Sequence, residues 1–364
     1  MKPIGLYIHV PFCNGKCPYC DFYSVHPQGD SVERYVDALC KNIDGAGRIY
    51  DTVYFGGGTP SLIGSDNIAK ILSHVSRTPD CEVTLECNPS DTGAPDSIFD
   101  FSVVKESGVN RISMGLQSSD DTERKTLGRR GGTADVERAI KRARQAGIEN
   151  ISLDLMLGVP HQTAESLKKS VEFCKNSGAK HVSAYILKIE EGTPFYKIKS
   201  SLALPDEDET CDLYLLAVDE LNKAGYGQYE ISNFSFEGYE SRHNLRYWRC
   251  EEYLGIGAAA HSFVDGKRFY YERSIDDFVS GKLPTPDGEG GDEEEYIMLA
   301  LRLREGLIFE NFRSRFGKEI PQTIICKAKE LQKHGLVELT DSNVSLTVNG
   351  FLVSNSVISE LLGY

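Results

Sequence analysis

The sequence predicts an α/β protein: an incomplete (β/α)6 barrel with a polar interior, followed by a small winged-helix-like C-terminal domain. Three observations carry this expectation. Short β-like runs alternate with longer amphipathic stretches from residue 4 to about 231. Several helical stretches end at a glycine just before the next strand, and most strands carry one apolar and one polar face.

The β-like runs lie near 4–10, 52–55, 81–87, 109–114, 150–156 and 180–187, with a further one at 227–231. Between them sit helical patterns such as 134–146, where Val136, Ala139, Ile140 and Ala143 form one apolar stripe. Gly108, Gly147, Gly178 and Gly225 occupy the positions where a helix closes in a left-handed residue, which marks βα units in series. Six such units imply a parallel sheet covered by helices, either a barrel or an open doubly wound sheet. The strand faces choose between these. Val83 and Leu85 oppose Glu82, Thr84 and Glu86; Ile112 and Met114 oppose Arg111 and Ser113. Ile151, Leu153 and Leu155 oppose Ser152 and Asp154; Val182, Ala184 and Ile186 oppose His181, Ser183 and Tyr185. A sheet buried by helices on both sides should be apolar on both. A recurrent polar face suits a barrel lumen that holds solvent and a polar ligand.

The chemistry-bearing residues cluster at one end of these strands. The run Cys13-Asn14-Gly15-Lys16-Cys17-Pro18-Tyr19-Cys20 follows the first strand, and Gly56-Gly57-Gly58-Thr59-Pro60 the second. Glu86-Cys87-Asn88-Pro89 ends the third, Gly115-Leu116-Gln117-Ser118 follows the fourth, and Asp154 and Tyr185 lie late in the fifth and sixth. All are at strand carboxyl ends, the face on which βα barrels place their sites. The C-x3-C-x2-C spacing of Cys13, Cys17 and Cys20 puts three soft thiolates on one short loop. Structural zinc wants four closed ligands, and no fourth cysteine or histidine follows at zinc-ribbon spacing. A [4Fe–4S] cube held by three cysteines keeps one iron open to another ligand.

Composition bounds the function. The chain has 364 residues, 40% hydrophobic and 26% charged, ordinary for a soluble globular protein of one large domain and a smaller one. A net charge of −14 argues against general nucleic-acid binding, which needs a basic face. No apolar run approaches the roughly 20 residues that span a bilayer, and the start enters a strand directly, so a cytoplasmic protein is expected. The seven cysteines outside the motif are scattered, mostly in apolar patterns, and are expected as buried thiols of a reducing compartment.

After residue 232 the pattern changes, and we expect a barrel extension over 233–285 and a C-terminal domain over 286–364, the barrel proper occupying 1–232. The extension holds His243-Asn244-Leu245-Arg246-Tyr247-Trp248, with the only tryptophan, and the small-residue run Gly255-Ile256-Gly257-Ala258-Ala259-Ala260-His261. Such small residues let a backbone or a flat ligand approach closely. Residues 281–291 are expected as an exposed linker, leading into Asp292-Glu293-Glu294-Glu295 as a solvated helix start. Beyond it the pattern suggests three helices and then two short strands about a turn at Asp341-Ser342-Asn343.

Taken together, C-x3-C-x2-C after the first strand and GGGTP after the second resemble the radical S-adenosylmethionine proteins. The likeness is closer to one branch, the oxygen-independent coproporphyrinogen III oxidases and their HemW-type heme-chaperone relatives, and covers nearly the whole chain. It is carried also by Tyr7, Glu86-Cys87-Asn88-Pro89, Arg111-Ile112-Ser113-Met114-Gly115-Leu116-Gln117-Ser118, Leu127-Gly128-Arg129 and Asp154-Leu155-Met156-Leu157-Gly158-Val159-Pro160. The resemblance implies a [4Fe–4S] cluster on Cys13, Cys17 and Cys20, its open iron chelated by S-adenosylmethionine. It also implies that Tyr7, Tyr19, Gly57, Gly58, Thr59, Glu86, Gln117, Arg129 and Asp154 line the nucleoside site. The glycines offer backbone groups to the methionyl ammonium, Arg129 a carboxylate partner, and Asp154 a ribose acceptor.

Two departures separate the branches. The oxidases carry a further cysteine where this chain has Phe22, and a long N-terminal extension where only twelve residues precede Cys13. Both match the chaperone-like branch, as does the HNxxYW pattern of His243, Asn244, Tyr247 and Trp248, associated there with heme. Imidazole is a common heme ligand, and His261 is a rival for that role, with Cys250 a remoter one. The implied partners are heme or a porphyrinogen, an electron donor for the cluster, and an acceptor protein, soluble or membrane-associated. The first reading is a heme chaperone. The second is an enzyme that oxidatively decarboxylates coproporphyrinogen III, or another radical reaction on a tetrapyrrole; the third is an electron-transfer or zinc protein. No catalytic residue is assigned.

Overall fold

The computed structural model describes residues 2–364. Six strands, β1 (Ile4–Val10), β2 (Tyr50–Gly57), β3 (Arg77–Cys87), β4 (Arg111–Gln117), β5 (Asn150–Leu157) and β6 (His181–Ile186), pair in parallel and in chain order. Leu6, Ile8, Val53, Phe55, Val83, Leu85, Ile112 and Leu153 face outward and are buried. Helices Ser31–Ala46, Ser65–Ser73, Thr133–Gln145 and Ala164–Ser177 supply the other half of that core. The stripe Val136, Ala139, Ile140 and Ala143 is fully inward, as its spacing requires. Gly178 closes its helix at φ 71°, a conformation that a side chain would oppose.

The opposite face is polar and also buried. Thr52, Thr84, Arg111, Ser113, Ser152 and His181 all lie below 6% exposure. These side chains point into the lumen, so the polar alternation was the signature of a barrel interior. The expected lumen contents differ in one respect: at the amino-terminal end of the strands the interior is plugged by the chain itself, through the helix Arg242–Trp248.

The sheet does not close. Beyond β6 come the antiparallel β8 and then β7 (Gly227–Gln228 is β7, Asn233–Ser235 β8). The strand expected over 227–231 therefore stops at Gln228, and Glu230 instead bridges to Leu303. Beyond β1 the sheet continues through β9 (Tyr253–Ile256), parallel to β1, then β10 (His261–Val264), β11 (Lys267–Tyr270) and β12 (Thr285–Glu289). The last of these lies inside the stretch expected as a linker. Edge position explains the miss: β12 is mostly exposed and holds Pro286, so it has no apolar period to betray it.

The C-terminal part is built on a three-stranded sheet. It comprises β13 (Leu307–Ile308), β14 (Val337–Leu339) and β15 (Asn343–Leu346) in the order β13-β15-β14, with helices Glu293–Ala300, Phe309–Phe316 and Gln322–Lys333. The expected helix-helix-helix-strand-strand pattern gains an early strand, and two helices follow it, Val348–Leu352 and Ser354–Leu362. The acidic run is a helix start as expected, with the Asp292 side chain accepting from the Glu295 N–H. Among the described residues no helix is long and apolar enough to cross a membrane.

Candidate functional site

Each parallel strand delivers its marked residues to the same rim. The cysteine loop leaves β1 and is pinned at both ends: the Cys13 N–H donates to Val25 O (2.9 Å) and the Val25 N–H to Pro11 O (2.8 Å). Within it the Cys20 N–H donates to Cys17 O, and from the segment after β6 the Phe195 N–H donates to Pro18 O. Tyr19 packs beside Phe195, with ring centroids 6.2 Å apart. All three thiols are half-buried and unpaired as disulfides. Donors from other segments reach them: Thr59 Oγ1, just after β2, lies 3.7 Å from Cys13 Sγ, and Arg129 Nη1, after the helix Asp121–Thr126, 3.9 Å from Cys17 Sγ.

The donor chemistry fits an iron–sulfur cube. Among the described residues no group of three or more ligating side chains converges as around one metal ion. A cube takes each thiolate on a separate iron, which suits three cysteines spread along a loop, whereas zinc needs a fourth ligand.

The glycine run explains itself sterically. A Cβ on Gly58 would stand 2.5 Å from Phe12 O, and one on Gly57 2.7 Å from the His9 ring. Gly57 also has φ 115°. The exit of β2 thus runs hard against the start of the cysteine loop, and only glycine permits it. Its N–H groups are spent: Gly58 donates to Val10 O, Thr59 to Phe12 O, and Gly57 to the Glu86 carboxylate. What remains for a cationic amine is carbonyl oxygen, the acceptor it requires.

Below the rim stand two carboxylates. Glu86 accepts from Tyr54 OH at 2.8 Å, and burial pushes its carboxyl up to about 7. Asp154 accepts from Ser113 and Ser183 hydroxyls, and burial pushes it up to about 6. Gln117, at φ 68° on a bulge ending β4, accepts from Tyr185 OH (2.8 Å). Non-glycine residues held there are uncommon and cluster at binding sites. Arg129 anchors on Gly115 O (2.7 Å), so its guanidinium spans from β4 to Cys17. Sequence reasoning missed His9, Tyr54 and Arg111 as members of this group. His9 is buried, donates from Nε2 to Tyr23 O and accepts at Nδ1 from Tyr7 OH. Burial holds its imidazole down near 4, so it is neutral. All three share the inward strand parity of Tyr7, Glu86 and Asp154, and that parity was the available signal.

Residues 7–174 match the Radical SAM superfamily, and residues 293–353 match the HemN C-terminal domain. The chain is 34% identical to the heme chaperone HemW of Bacillus subtilis, over 98% of each chain. It is 37% identical to the heme chaperone HemW of Escherichia coli, over 84% of each. The chain belongs to the HemW family. In fold, this HemW-family chain is similar to coproporphyrinogen III oxidase (HemN) of Escherichia coli, a radical SAM enzyme, with a TM-score of 0.83. That likeness has 18% identity and covers 100% of this chain and 90% of that one.

The HNxxYW segment of this HemW-family chain does not sit on the rim. It forms the helix Arg242–Trp248, capped by Ser241, and it plugs the lumen at the opposite, amino-terminal ends of β1 to β3. There the Glu82 carboxylate accepts from the backbone N–H groups of Arg242 and His243. Beneath them Arg246 pairs with Asp51. His243 is fully buried; Nδ1 is hydrogen-bonded to Thr52 Oγ1 (2.9 Å) and Nε2 to Tyr247 OH (2.8 Å). Its ring stacks on Tyr54 at 5.3 Å, and burial drives its imidazole down to about 3. Trp248 is half-buried beneath Arg302, whose guanidinium carbon is 5.4 Å from the indole centroid. Asn244 is half-buried beside them. A heme ligand needs a ring nitrogen with a free lone pair, and His243 offers none in this arrangement. Cys250 is buried at φ 51°. The small-residue run serves backbone packing: Gly257 is 2.6 Å from His9 O and Gly255 2.0 Å from His261 O, measured from an added Cβ.

Proposed function

We propose that this chain binds a [4Fe–4S] cluster, S-adenosylmethionine and heme, and hands heme to an acceptor protein in the cytoplasm. Cys13, Cys17 and Cys20 would hold three irons, leaving the fourth to the amino and carboxylate groups of the nucleoside. Once bound and reduced, the cluster supplies the electron that cleaves a sulfonium. The chain's own residues bind and orient. Arg129, already fixed on Gly115 O, takes the methionyl carboxylate; the carbonyls of the glycine run take the ammonium; Asp154 accepts from the ribose, and Glu86 holds Gly57 in place. Tyr19, Gln117 and Thr59 close the rim around them. An electron donor must reach the loop at Cys13–Cys20, which is half-exposed at its tip.

One observation supports the nucleoside part above others: Arg129 lies 3.9 Å from a cluster thiol while anchored to the strand that carries Gln117. Near-full-length likeness to proteins named heme chaperones supports the heme part. The test is anaerobic assay of reconstituted protein against coproporphyrinogen III and, in parallel, against hemin with an apo heme-protein acceptor. Hemin uptake and transfer without porphyrinogen turnover are the expected results. Conversion of propionate to vinyl would replace this reading with the enzymatic one.

A further inference from the structure

Arg111 heads the fully buried side chains by size, 2% exposed at the first position of β4. Among the described residues it makes no hydrogen bond and no ion pair, and its Nε is buried without an acceptor. The other deeply buried arginines are tied down. Arg124 donates to Leu116 O at 2.6 Å, and Arg246 pairs with Asp51 and, at 3.2 Å, with Glu251. A guanidinium keeps its charge under all conditions of folding, so burying one unpaired is costly.

Strand register shows what stands around it. Thr84 is its partner on β3 and Asn150 its partner on β5, so all three face the lumen at one level. Thr84 Oγ1 and Asn150 Oδ1 are likewise buried without a partner among the described residues. Two residues further along β3, and four along β5, stand Glu86 and Asp154. A carboxylate committed to an arginine is held below its usual range. Burial instead pushes Glu86 up to about 7 and Asp154 up to about 6, despite the Arg111 charge nearby. Neither carboxyl is therefore the counter-ion. Below lie His181 and His243, both kept neutral by burial, with Arg111 acting in the same direction. Water bridging Thr84 and Asn150 would satisfy their oxygens but carries no countercharge.

We propose that Arg111 holds a small monovalent anion, of which chloride is the simplest, at the foot of the barrel lumen. The Thr84 hydroxyl is a second donor to it, and the Asn150 amide can turn its Nδ2 toward it. Same-face layers along a strand are about 7 Å apart, and the helix Arg242–Trp248 seals the level beneath. That spacing suits a monatomic anion better than an organic acid. The site is separate from the cluster, nucleoside and heme readings and does not depend on them. It neutralises a charge that no side chain of the protein pairs, between the carboxyls of the rim site and the floor helix.

The experiment is thermal unfolding of the full-length chain at pH 7.5, with sodium chloride replacing sodium gluconate at constant ionic strength. The midpoint should rise by about 2–5 °C and saturate with chloride. Arg111→Met should lose this saturable rise, whereas an arginine that serves only packing would leave the rise intact in the variant. Thr84→Val keeps the cation and should raise the half-saturating chloride concentration about threefold or more. It decides the matter if Arg111→Met does not fold. Crystals soaked in bromide should show an anomalous peak within hydrogen-bond reach of Arg111. An absent chloride response, an equal one in Arg111→Met, or an unshifted one in Thr84→Val overturns the proposal. So does a bromide peak without a saturable response in solution, which would mark binding at crystal concentration only.

Discussion

Glu86 is the residue at which burial and function pull hardest against each other. Its carboxyl is raised from 4.5 to about 7 because the lumen desolvates it, with Tyr54 OH as partial compensation. Between those values the folded chain holds a proton that the unfolded chain has released. Stability of the ligand-free protein therefore falls as pH rises from about 4.5 to 7, then levels. Asp154, raised from 3.8 to about 6, adds the same sign over its own lower window. Replacing Glu86 by Gln should remove the slope between about pH 6 and 7, leave that of Asp154 below it, and raise stability at pH 8 by roughly 1–3 kcal/mol. Chemical denaturation at a series of pH values reads this, and an unchanged slope would place the titration elsewhere. Arg129 makes a second residue-scale prediction. Lysine keeps the charge but not the fork that spans Gly115 O and Cys17. Arg129→Lys should lower S-adenosylmethionine affinity at least tenfold while cluster content stays constant, measured by equilibrium dialysis under anaerobic conditions.

At the scale of elements, the decisive contact is between the exit of β2 and the cysteine loop. Gly58→Ala would drive a methyl to 2.5 Å from a backbone oxygen that has no side-chain freedom to retreat. The expected outcome is a folded protein that incorporates much less iron and sulfide, seen by metal analysis beside an unchanged far-ultraviolet spectrum. Full incorporation would show that the loop tolerates displacement. This element was legible in advance because thiol spacing and a glycine run are local signals. So was the polar lumen, since period-2 alternation survives without any knowledge of partners. The helix Arg242–Trp248 was harder. His243 and Tyr247 are four residues apart, a helical spacing, and their hydrogen bond follows from it. Nothing in the segment itself says that Glu82 and Thr52, some 160 and 190 residues earlier, receive it inside the barrel. The strand β12 was concealed for the opposite reason: exposed on nearly all residues, it has no pattern to display.

At the scale of the molecule, the C-terminal domain closes the floor beneath that helix. Arg302 covers Trp248, Arg249 pairs with Glu305 at 3.1 Å, and the Arg304 N–H donates to Tyr229 O. Because Trp248 is the only tryptophan, its fluorescence reports this junction without interference. Arg302→Ala should shift the emission and cost at most about 2 kcal/mol, the range of a partly desolvated cation–π contact. An emission spectrum identical to that of the unsubstituted chain would mean that the guanidinium does not rest there in solution. The same layout separates two jobs by height. The rim gathers thiols, glycines and carboxylates, while the floor spends the aromatic HNxxYW residues on holding the barrel in register from below. The function proposed for the rim depends on the three-cysteine loop holding a cluster with one iron left unclaimed by the chain. Mössbauer and EPR spectra of the reduced, anaerobically reconstituted protein, titrated with S-adenosylmethionine, test this most directly. The account predicts a [4Fe–4S] centre in which one iron site changes its parameters on nucleoside addition, and loses that response in Arg129→Lys at subsaturating nucleoside. A zinc-loaded loop, or a cluster whose spectra ignore the nucleoside, would contradict it.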